Sequence, residues 1–131
     1  MPLGPEMAAL AASVVLLIVQ VFLQALTATA DLGLEWNASP RDEARKPGVL
    51  AGRSERALKN LLETYPAFVA LALALVVTGQ SGQLGAGGAW LWLSARVVYV
   101  LLYLIGVPYV RSVVWLGSVF GLAIMFFSLI L

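Results

Sequence analysis

The chain has 131 residues, of which 61% are hydrophobic and only 11% charged, so it is not an ordinary soluble protein, which carries about 25% charged residues. It contains no cysteine and no histidine, which excludes disulfides, thiolate nucleophiles, imidazole bases and the common zinc or haem ligands, and we expect no metal site. A net charge of +1 without a basic tail argues against a nucleic-acid partner.

The first predicted span covers residues 7–30, which carry no charge. At 1.5 Å per residue this stretch is roughly 36 Å long, enough to cross a hydrocarbon core of ~30 Å. It is longer than a signal-peptide core and no positive residue precedes it, so we expect it to remain as a membrane helix. Five polar residues share one face of this helix and favour packing against another helix. They are Ser13, Gln20, Gln24, Thr27 and Asp31.

A solvated loop is predicted over residues 31–52, where seven charged residues are interspersed with prolines and glycines. Three more apolar stretches follow, and an uncharged turn separates the first two of them. Their predicted bounds are residues 53–78, 89–107 and 112–131. The sequence therefore predicts an all-α integral membrane protein in which residues 1–131 form a single domain, a bundle of four transmembrane helices.

The basic residues predict how this bundle is oriented in the membrane. They lie in or beside the first loop and in the short connection before the last span, and none lies in the N-terminal segment or in the turn at residues 79–88. The residues are Arg41, Arg45, Lys46, Arg53 and Arg111. Positive loops stay on the cytoplasmic side, so we expect loop 31–52 to be cytoplasmic and both termini to lie on the opposite side.

Charged residues on the second and third spans are the strongest functional signal in the sequence. A charge within a span costs about 2.5 to 3.5 kcal/mol, so such residues face the bundle interior or another subunit. On the second span five polar residues lie within roughly 120° of one helix face. They are Arg53, Arg56, Lys59, Asn60 and Glu63. On the third span Arg96, Tyr99 and Tyr103 also share one face.

These faces predict a cationic cavity, because three arginines meet a single carboxylate, and such a cavity favours an anion. Arg111 opens the fourth span, and its permanently charged guanidinium could hold a thiolate or oxyanion, with Ser112 donating a hydrogen bond. The alternative is structural: a charge network that only holds helices together, and an Arg111 that only anchors the loop at the membrane surface. Three tryptophans, Trp36, Trp90 and Trp92, are predicted as interface anchors.

Three motifs in order carry a resemblance to a known family. They are RSERALKNLLETYP at residues 53–66, ARVVYVLLY at residues 95–103 and PYVRS at residues 108–112. Together they resemble the family of membrane-associated proteins in eicosanoid and glutathione metabolism, over nearly the whole chain. The resemblance implies a homotrimer of four-helix protomers, with the cosubstrate glutathione bound between adjacent subunits near the cytoplasmic face.

The resemblance also implies roles for nine residues. The glutathione-binding positions are Arg53, Arg56, Asn60, Glu63, Arg96, Tyr99 and Tyr103, and the catalytic positions are Arg111, which activates the thiol, and Ser112. A chain without cysteine could then perform thiol chemistry, because the substrate brings the sulfur.

One departure from the family pattern and one feature of the loop narrow the range of expected activities. Eicosanoid-making members carry basic residues near the end of the first helix, whereas this chain has Asp31 and Glu35. The loop SPRDEARKPG resembles a bacterial branch, which implies a bacterial inner membrane. We therefore expect a membrane-bound glutathione transferase or peroxidase that acts on a hydrophobic small molecule, either an electrophile or a lipid hydroperoxide.

Two other functions compete with this interpretation. A non-catalytic protein of the same fold would bind another anion, a lipid headgroup or a partner, and would show no saturable glutathione binding. A small proton-coupled exporter would use Glu63 as its membrane carboxylate. The exporter fits less well, because the loop is long and charged and nearby arginines would keep Glu63 ionised.

Overall fold

The computed structural model describes residues 2–40 and 48–131, and this part of the chain forms five helices and no strand. The helices are α1 (Pro5–Leu32), α2 (Leu34–Ala38), α3 (Val49–Val77), α4 (Gln83–Ile105) and α5 (Val110–Ile130). All except the short α2 are long and apolar enough to cross a membrane. The all-α, four-helix prediction is confirmed, and the four apolar helices fit an integral membrane protein.

The helices extend beyond the predicted spans where the chain is polar or rich in glycine. Helix α3 begins at Val49, inside the predicted loop 31–52, and α4 begins at Gln83, six residues before the predicted start. Hydropathy detects only the apolar part of a helix, whereas packing against neighbours also holds its polar turns. The predicted loop residues Arg41, Arg45 and Lys46 lie outside the described residues.

Proline and glycine fix where the helices begin and end. Pro5 occupies the first turn of α1, where its missing N–H costs no hydrogen bond. Gly106 ends α4 with a φ of 80°, a left-handed conformation that glycine adopts without strain. The next N–H, of Val107, donates to the Leu102 carbonyl at 3.0 Å, so a Schellman motif satisfies the last carbonyls of α4.

Helices α4 and α5 approach each other at a pair of glycines. A Cβ atom on Gly88 would lie 2.7 Å from the Gly121 carbonyl oxygen, and one on Gly121 would lie 2.7 Å from the Gly88 oxygen. Only glycine permits this backbone contact, which is a common way for membrane helices to associate. The two glycines therefore fix α5 against α4, and with it the position of the residues that open α5.

An aromatic stack forms the centre of the bundle. The rings of Phe68 and Trp92 are parallel to within 7°, with centroids 4.0 Å apart, and both side chains are fully buried. The prediction that Trp92 anchors the protein at the membrane interface is therefore wrong. Trp92 lies four residues before Arg96 on α4 and so shares its inward face. Trp90, two residues earlier, is 41% exposed.

The bundle has two ends that differ in their polar contacts. At the loop end, where α3 begins and α4 stops, the Asp31 carboxylate accepts the Gly48 N–H at 2.8 Å and so ties α1 to the start of α3. At the terminal end, where α1 and α4 begin, Glu6 is fully buried. Its carboxylate accepts the Ser81 hydroxyl at 2.6 Å and the Gly82 N–H at 3.0 Å, immediately before α4.

Candidate anion-binding site

A cavity of about 290 Å³ opens between α3, α4 and α5, and we call it the arginine cavity. Its lining residues come from all three helices and are mostly polar or aromatic. They are Arg56, Asn60, Tyr99, Tyr103, Arg111, Ser112 and Trp115. No acidic residue is among these lining residues of the described chain, so the part of the wall that they form carries two guanidinium groups and no carboxylate.

Tyr103 lies between the two arginines of the cavity. Its hydroxyl accepts a hydrogen bond from Arg56 Nε at 3.2 Å. Its ring lies beneath the Arg111 guanidinium, whose carbon is 4.5 Å from the ring centroid. Both distances are within the range of favourable interactions, so a single side chain of α4 contacts cations from α3 and α5.

A second arginine and tyrosine pair supports the wall of the cavity from behind. Arg96 is only 1% exposed and donates from Nη1 to the Asn60 side-chain oxygen at 2.8 Å. Its guanidinium carbon lies 4.5 Å from the centroid of the Tyr99 ring. Because the Asn60 oxygen is engaged, the amide nitrogen of Asn60 keeps its two N–H donors for a ligand.

Glu63 is the acidic group nearest to this region. It lies one turn beyond Asn60 on α3, is exposed on the protomer, and interacts electrostatically with Arg96 and Tyr99. With Arg56, Arg96 and Arg111 close by, the site retains an excess of positive charge. Such an excess at membrane depth favours an anionic ligand.

The backbone turn before α5 places Arg111 at the cavity. Tyr109 has a φ of 60° and a ψ of −55°, and the Val110 N–H donates to the Pro108 carbonyl at 2.6 Å. This is a γ-turn with positive φ, a strained conformation for a residue other than glycine. Helix α5 begins directly after it, so Arg111 and Ser112 lie in its first turn, where the helix dipole adds positive potential.

Six of the nine predicted site residues line the arginine cavity, and three do not. The six are Arg56, Asn60, Tyr99, Tyr103, Arg111 and Ser112. Arg96 lies behind the wall and Glu63 lies beside it. Arg53 is directed elsewhere, because it donates from Nη1 to the Leu104 carbonyl at 3.1 Å near the end of α4. The roles of all nine stay predictions.

Trp115 also lines the cavity, although it was not among the predicted site residues. It follows Arg111 by four residues on α5, so both side chains lie on one helix face, with Trp115 one turn deeper. This spacing is the signal that could have identified it. Trp115 gives the cavity an apolar wall next to a cationic one.

Four helices suited to crossing a membrane, together with the arginine cavity at one end, define a four-helix membrane protein with a cationic site. The model of the MAPEG family matches residues 9–131, nearly the whole chain. The chain therefore belongs to the MAPEG family, which confirms the resemblance seen in the three motifs. No curated protein and no solved structure matches the chain.

Proposed function

We propose that this protein is a membrane-bound, glutathione-dependent transferase or peroxidase that acts on hydrophobic electrophiles or lipid hydroperoxides. The observation that carries the proposal is the arginine cavity, in which Arg56 and Arg111 line one wall without a neutralising carboxylate. Membership of the MAPEG family supports the proposal, because glutathione-related membrane functions are what that family suggests.

The chemistry of the cavity suits glutathione, which carries two carboxylates, one amine and one thiol. Arg56 and the free amide donors of Asn60 suit a carboxylate, and Glu63, one turn along α3, suits the amine. A volume of about 290 Å³ fits a ligand of tripeptide size rather than a whole lipid. Tyr99 and Tyr103 complete the wall, and Arg96 holds Asn60 in place.

Arg111 is the residue that we propose activates the thiol. Its guanidinium remains protonated and stabilises the thiolate, lowering the pKa of the thiol from the value of about 8.5 that is typical for cysteine. Ser112, which follows it in the first turn of α5, can donate a hydrogen bond to the same sulfur. The proton released on binding goes to water.

Either reaction then follows from attack by this thiolate on a lipid-dissolved substrate. In conjugation, a sulfur–carbon bond forms while the bond to the leaving group breaks and its electron pair departs with that group. In hydroperoxide reduction, the sulfur takes the terminal oxygen, the O–O bond breaks, and the alkoxide gains a proton to become an alcohol. A second glutathione then converts the sulfenic acid into a disulfide and water.

We further propose a homotrimer in which a neighbouring protomer completes the site. Glu63 lies at the middle of α3 (Val49–Val77) and is exposed on the single protomer. A charge facing lipid at such a depth costs about 2.5 to 3.5 kcal/mol, so protein rather than lipid should cover this face. Chemical cross-linking in detergent, followed by mass determination, tests the number of subunits.

For its location we propose a bacterial inner membrane with the loop end in the cytoplasm. The arginine cavity opens near that end, so this orientation gives it access to the cytoplasmic glutathione pool, while hydrophobic substrates arrive from the bilayer. The chain contains no cysteine, so a Ser39→Cys variant provides a single labelling site. Protection of that cysteine from an impermeant maleimide in intact cells supports the orientation, and labelling contradicts it.

The test of the function is calorimetric titration of glutathione into the purified protein in detergent, with thiolate absorbance recorded at about 240 nm. We expect saturable binding and a thiolate signal in the wild type, and loss of the thiolate signal in Arg111→Ala. Lys59→Ala, which removes an exposed cation outside the cavity, should behave like the wild type. Absence of binding at millimolar glutathione would favour the non-catalytic alternative.

A further inference from the structure

Arg111 is held by the face of an aromatic ring rather than by hydrogen bonds. Its guanidinium carbon lies 4.5 Å from the centroid of the Tyr103 ring. A guanidinium has five N–H donors, and all of them lie in the plane of the group. Contact with the ring occupies none of those donors in a hydrogen bond to a described residue and leaves them available to a ligand.

The other three arginines of the described chain each donate a hydrogen bond to the protein, Arg56 to the Tyr103 hydroxyl, and Arg96 does so in addition to its contact with the Tyr99 ring. Arg53 donates to the Leu104 carbonyl at 3.1 Å, and Arg96 donates to the Asn60 side-chain oxygen at 2.8 Å. Each of these guanidiniums donates one of its N–H groups to an acceptor of the protein itself. Among the arginines of the described chain, Arg111 is therefore the one whose donors are most available to an incoming anion.

Tyr103 acts on Arg56 through a different part of its side chain. The Tyr103 hydroxyl accepts from Arg56 Nε at 3.2 Å, whereas the Arg56 guanidinium carbon is 6.0 Å from the ring centroid, at the limit of a cation–π contact. The Tyr99 ring packs against Tyr103 with centroids 5.7 Å apart and restricts its movement. The ring face therefore contacts Arg111, and the hydroxyl accepts a hydrogen bond from Arg56.

We propose that Tyr103 is a positioning residue, whose ring face orients Arg111 toward the thiolate and whose hydroxyl orients Arg56 toward a carboxylate of the same ligand. The identity of that ligand rests on the proposed function, but the positioning of Arg111 does not. Contact between Tyr103 and the substrate is not required for this role. The two parts of one side chain should consequently control two different properties of the site.

Two variants separate these properties. Tyr103→Phe keeps the ring and removes the hydroxyl, so glutathione affinity should fall about fivefold while the pH midpoint of the thiolate absorbance stays at the wild-type value. Tyr103→Leu removes both parts, so affinity should fall and the midpoint should rise by about one pH unit. A purely structural role for Tyr103 would leave the midpoint unchanged.

A second measurement does not depend on glutathione. Phenylglyoxal modifies accessible arginines, and mass spectrometry of the peptide that contains Arg111 gives its modification rate in the ligand-free protein. We expect the rate to rise about threefold in Tyr103→Leu, because the guanidinium is no longer stacked, and to stay at the wild-type value in Tyr103→Phe. Phe120→Leu is the control: it removes an aromatic ring of α5 that is 63% exposed and lies outside the arginine cavity.

The two measurements distinguish failure of the inference from failure of the proposed function. If Tyr103→Phe shifts the thiol midpoint or the Arg111 modification rate as much as Tyr103→Leu does, the assignment of the ring to Arg111 is overturned. Because Tyr103→Phe is isosteric, a shift of the thiol midpoint or of the modification rate in that variant overturns the assignment even where Tyr103→Leu fails to fold. If the wild type binds no glutathione, the proposed function fails, and the modification rates still decide the positioning role.

Discussion

The two ends of the bundle differ in how fully their charged side chains are paired with other groups of the protein. At the terminal end, the fully buried Glu6 carboxylate has both oxygens occupied, by the Ser81 hydroxyl at 2.6 Å and the Gly82 N–H at 3.0 Å. At the loop end, Arg56 and Arg111 line an open cavity, and Arg111 lies over the Tyr103 ring without a hydrogen bond to any residue that the structure describes. A charge whose partners are all supplied by the protein supports the fold, and one that keeps free donors is available for binding.

The number of partners that the protein supplies distinguishes structural from functional charges in a membrane chain that contains few of either. Glu6 lies at the start of α4 near the positive end of the helix dipole, so its negative charge stabilises that helix. It also lies outside the residues that match the family, 9–131, whereas every residue of the arginine cavity lies inside them. We therefore expect changes at the two ends to affect different measurements.

The largest effect is expected for Glu6→Leu. This change leaves the Ser81 hydroxyl and the Gly82 N–H without their acceptor, at about 1 to 3 kcal/mol for each buried donor, so the free energy of unfolding should fall by about 3 kcal/mol. Glutathione affinity should remain within about twofold. Unfolding in mixed detergent micelles gives the first quantity and calorimetry the second. Glu6→Gln, which keeps one acceptor, should lose less stability, and an equal loss would contradict this account.

Arg56→Met should show the reverse pattern. It removes a cation and its donors from the cavity, so glutathione affinity should fall at least tenfold, as expected for a charge-assisted hydrogen bond. Arg56 is exposed, and methionine retains the apolar stem, so the free energy of unfolding should change by less than about 0.5 kcal/mol. Lys59→Met, an exposed cation three residues further along α3, is the control. Equal affinity losses in the two variants would indicate a general charge effect.

The sequence was sufficient to predict the helices and most of the cavity, for one physical reason. Helical periodicity gives the angular position of each side chain, and this angle placed Arg56 and Asn60 on one face and Tyr99 and Tyr103 on another. Those faces meet in the structure. In a membrane the cost of exposing charge makes such an angular argument strong, since polar faces must find each other or a ligand.

Two features of the structure were not predicted from the sequence. One depends on the height of one helix relative to another, and the other depends on contacts between residues that are far apart in the chain. Arg53 shares the angular face of Arg56, but it lies level with Leu104 at the end of α4, and periodicity alone does not give the height of one helix relative to another. The predicted first span begins at residue 7 and omits Glu6, whose partners Ser81 and Gly82 are about 75 residues away in the chain. Its burial is a tertiary property that no local pattern contains.

Two glycines of α4, Gly85 and Gly87, differ in the space that surrounds them. A Cβ on Gly85 would lie 3.1 Å from Glu6 Oε1 and 3.0 Å from Leu75 Cδ1, whereas a Cβ on Gly87 would meet nothing within 4 Å. Two hydrogen bonds fix the Glu6 carboxylate, so it cannot move aside. Gly85→Ala should therefore destabilise the protein by about 1 to 2 kcal/mol through overpacking, while Gly87→Ala should stabilise it by up to about 1 kcal/mol.

The double variant of Gly85→Ala with Glu6→Ala completes this test, measured by the same unfolding titration. Removing the carboxylate makes room for the new methyl group, so the two changes together should cost less than the sum of their separate costs, by about 0.5 to 1 kcal/mol. Strict additivity would mean that Glu6 does not restrict the space at Gly85. The packing at α4 would then be set by Leu75 instead.

The last prediction concerns Arg53, a cation at the loop end that donates a hydrogen bond to the protein. Arg53 donates to the Leu104 carbonyl near the negative end of the α4 dipole, and its guanidinium lies against Gly106, where a Cβ would come within 2.7 Å of Nη2. Arg53→Met should therefore lower the free energy of unfolding by about 1 kcal/mol. Glutathione affinity should stay within about twofold, because no donor of the cavity wall is lost.

Arg53→Lys provides the control for charge. Lysine keeps the favourable position near the end of the α4 dipole but lacks the planar guanidinium, so it should recover only part of the lost stability. If Arg53→Met instead weakens glutathione binding as much as Arg56→Met while leaving unfolding unchanged, Arg53 is a binding residue, as the family resemblance implies. The rule that a charge hydrogen-bonded to the end of a helix is structural would then fail at this position, because Arg53 would have to leave Leu104 to reach the ligand.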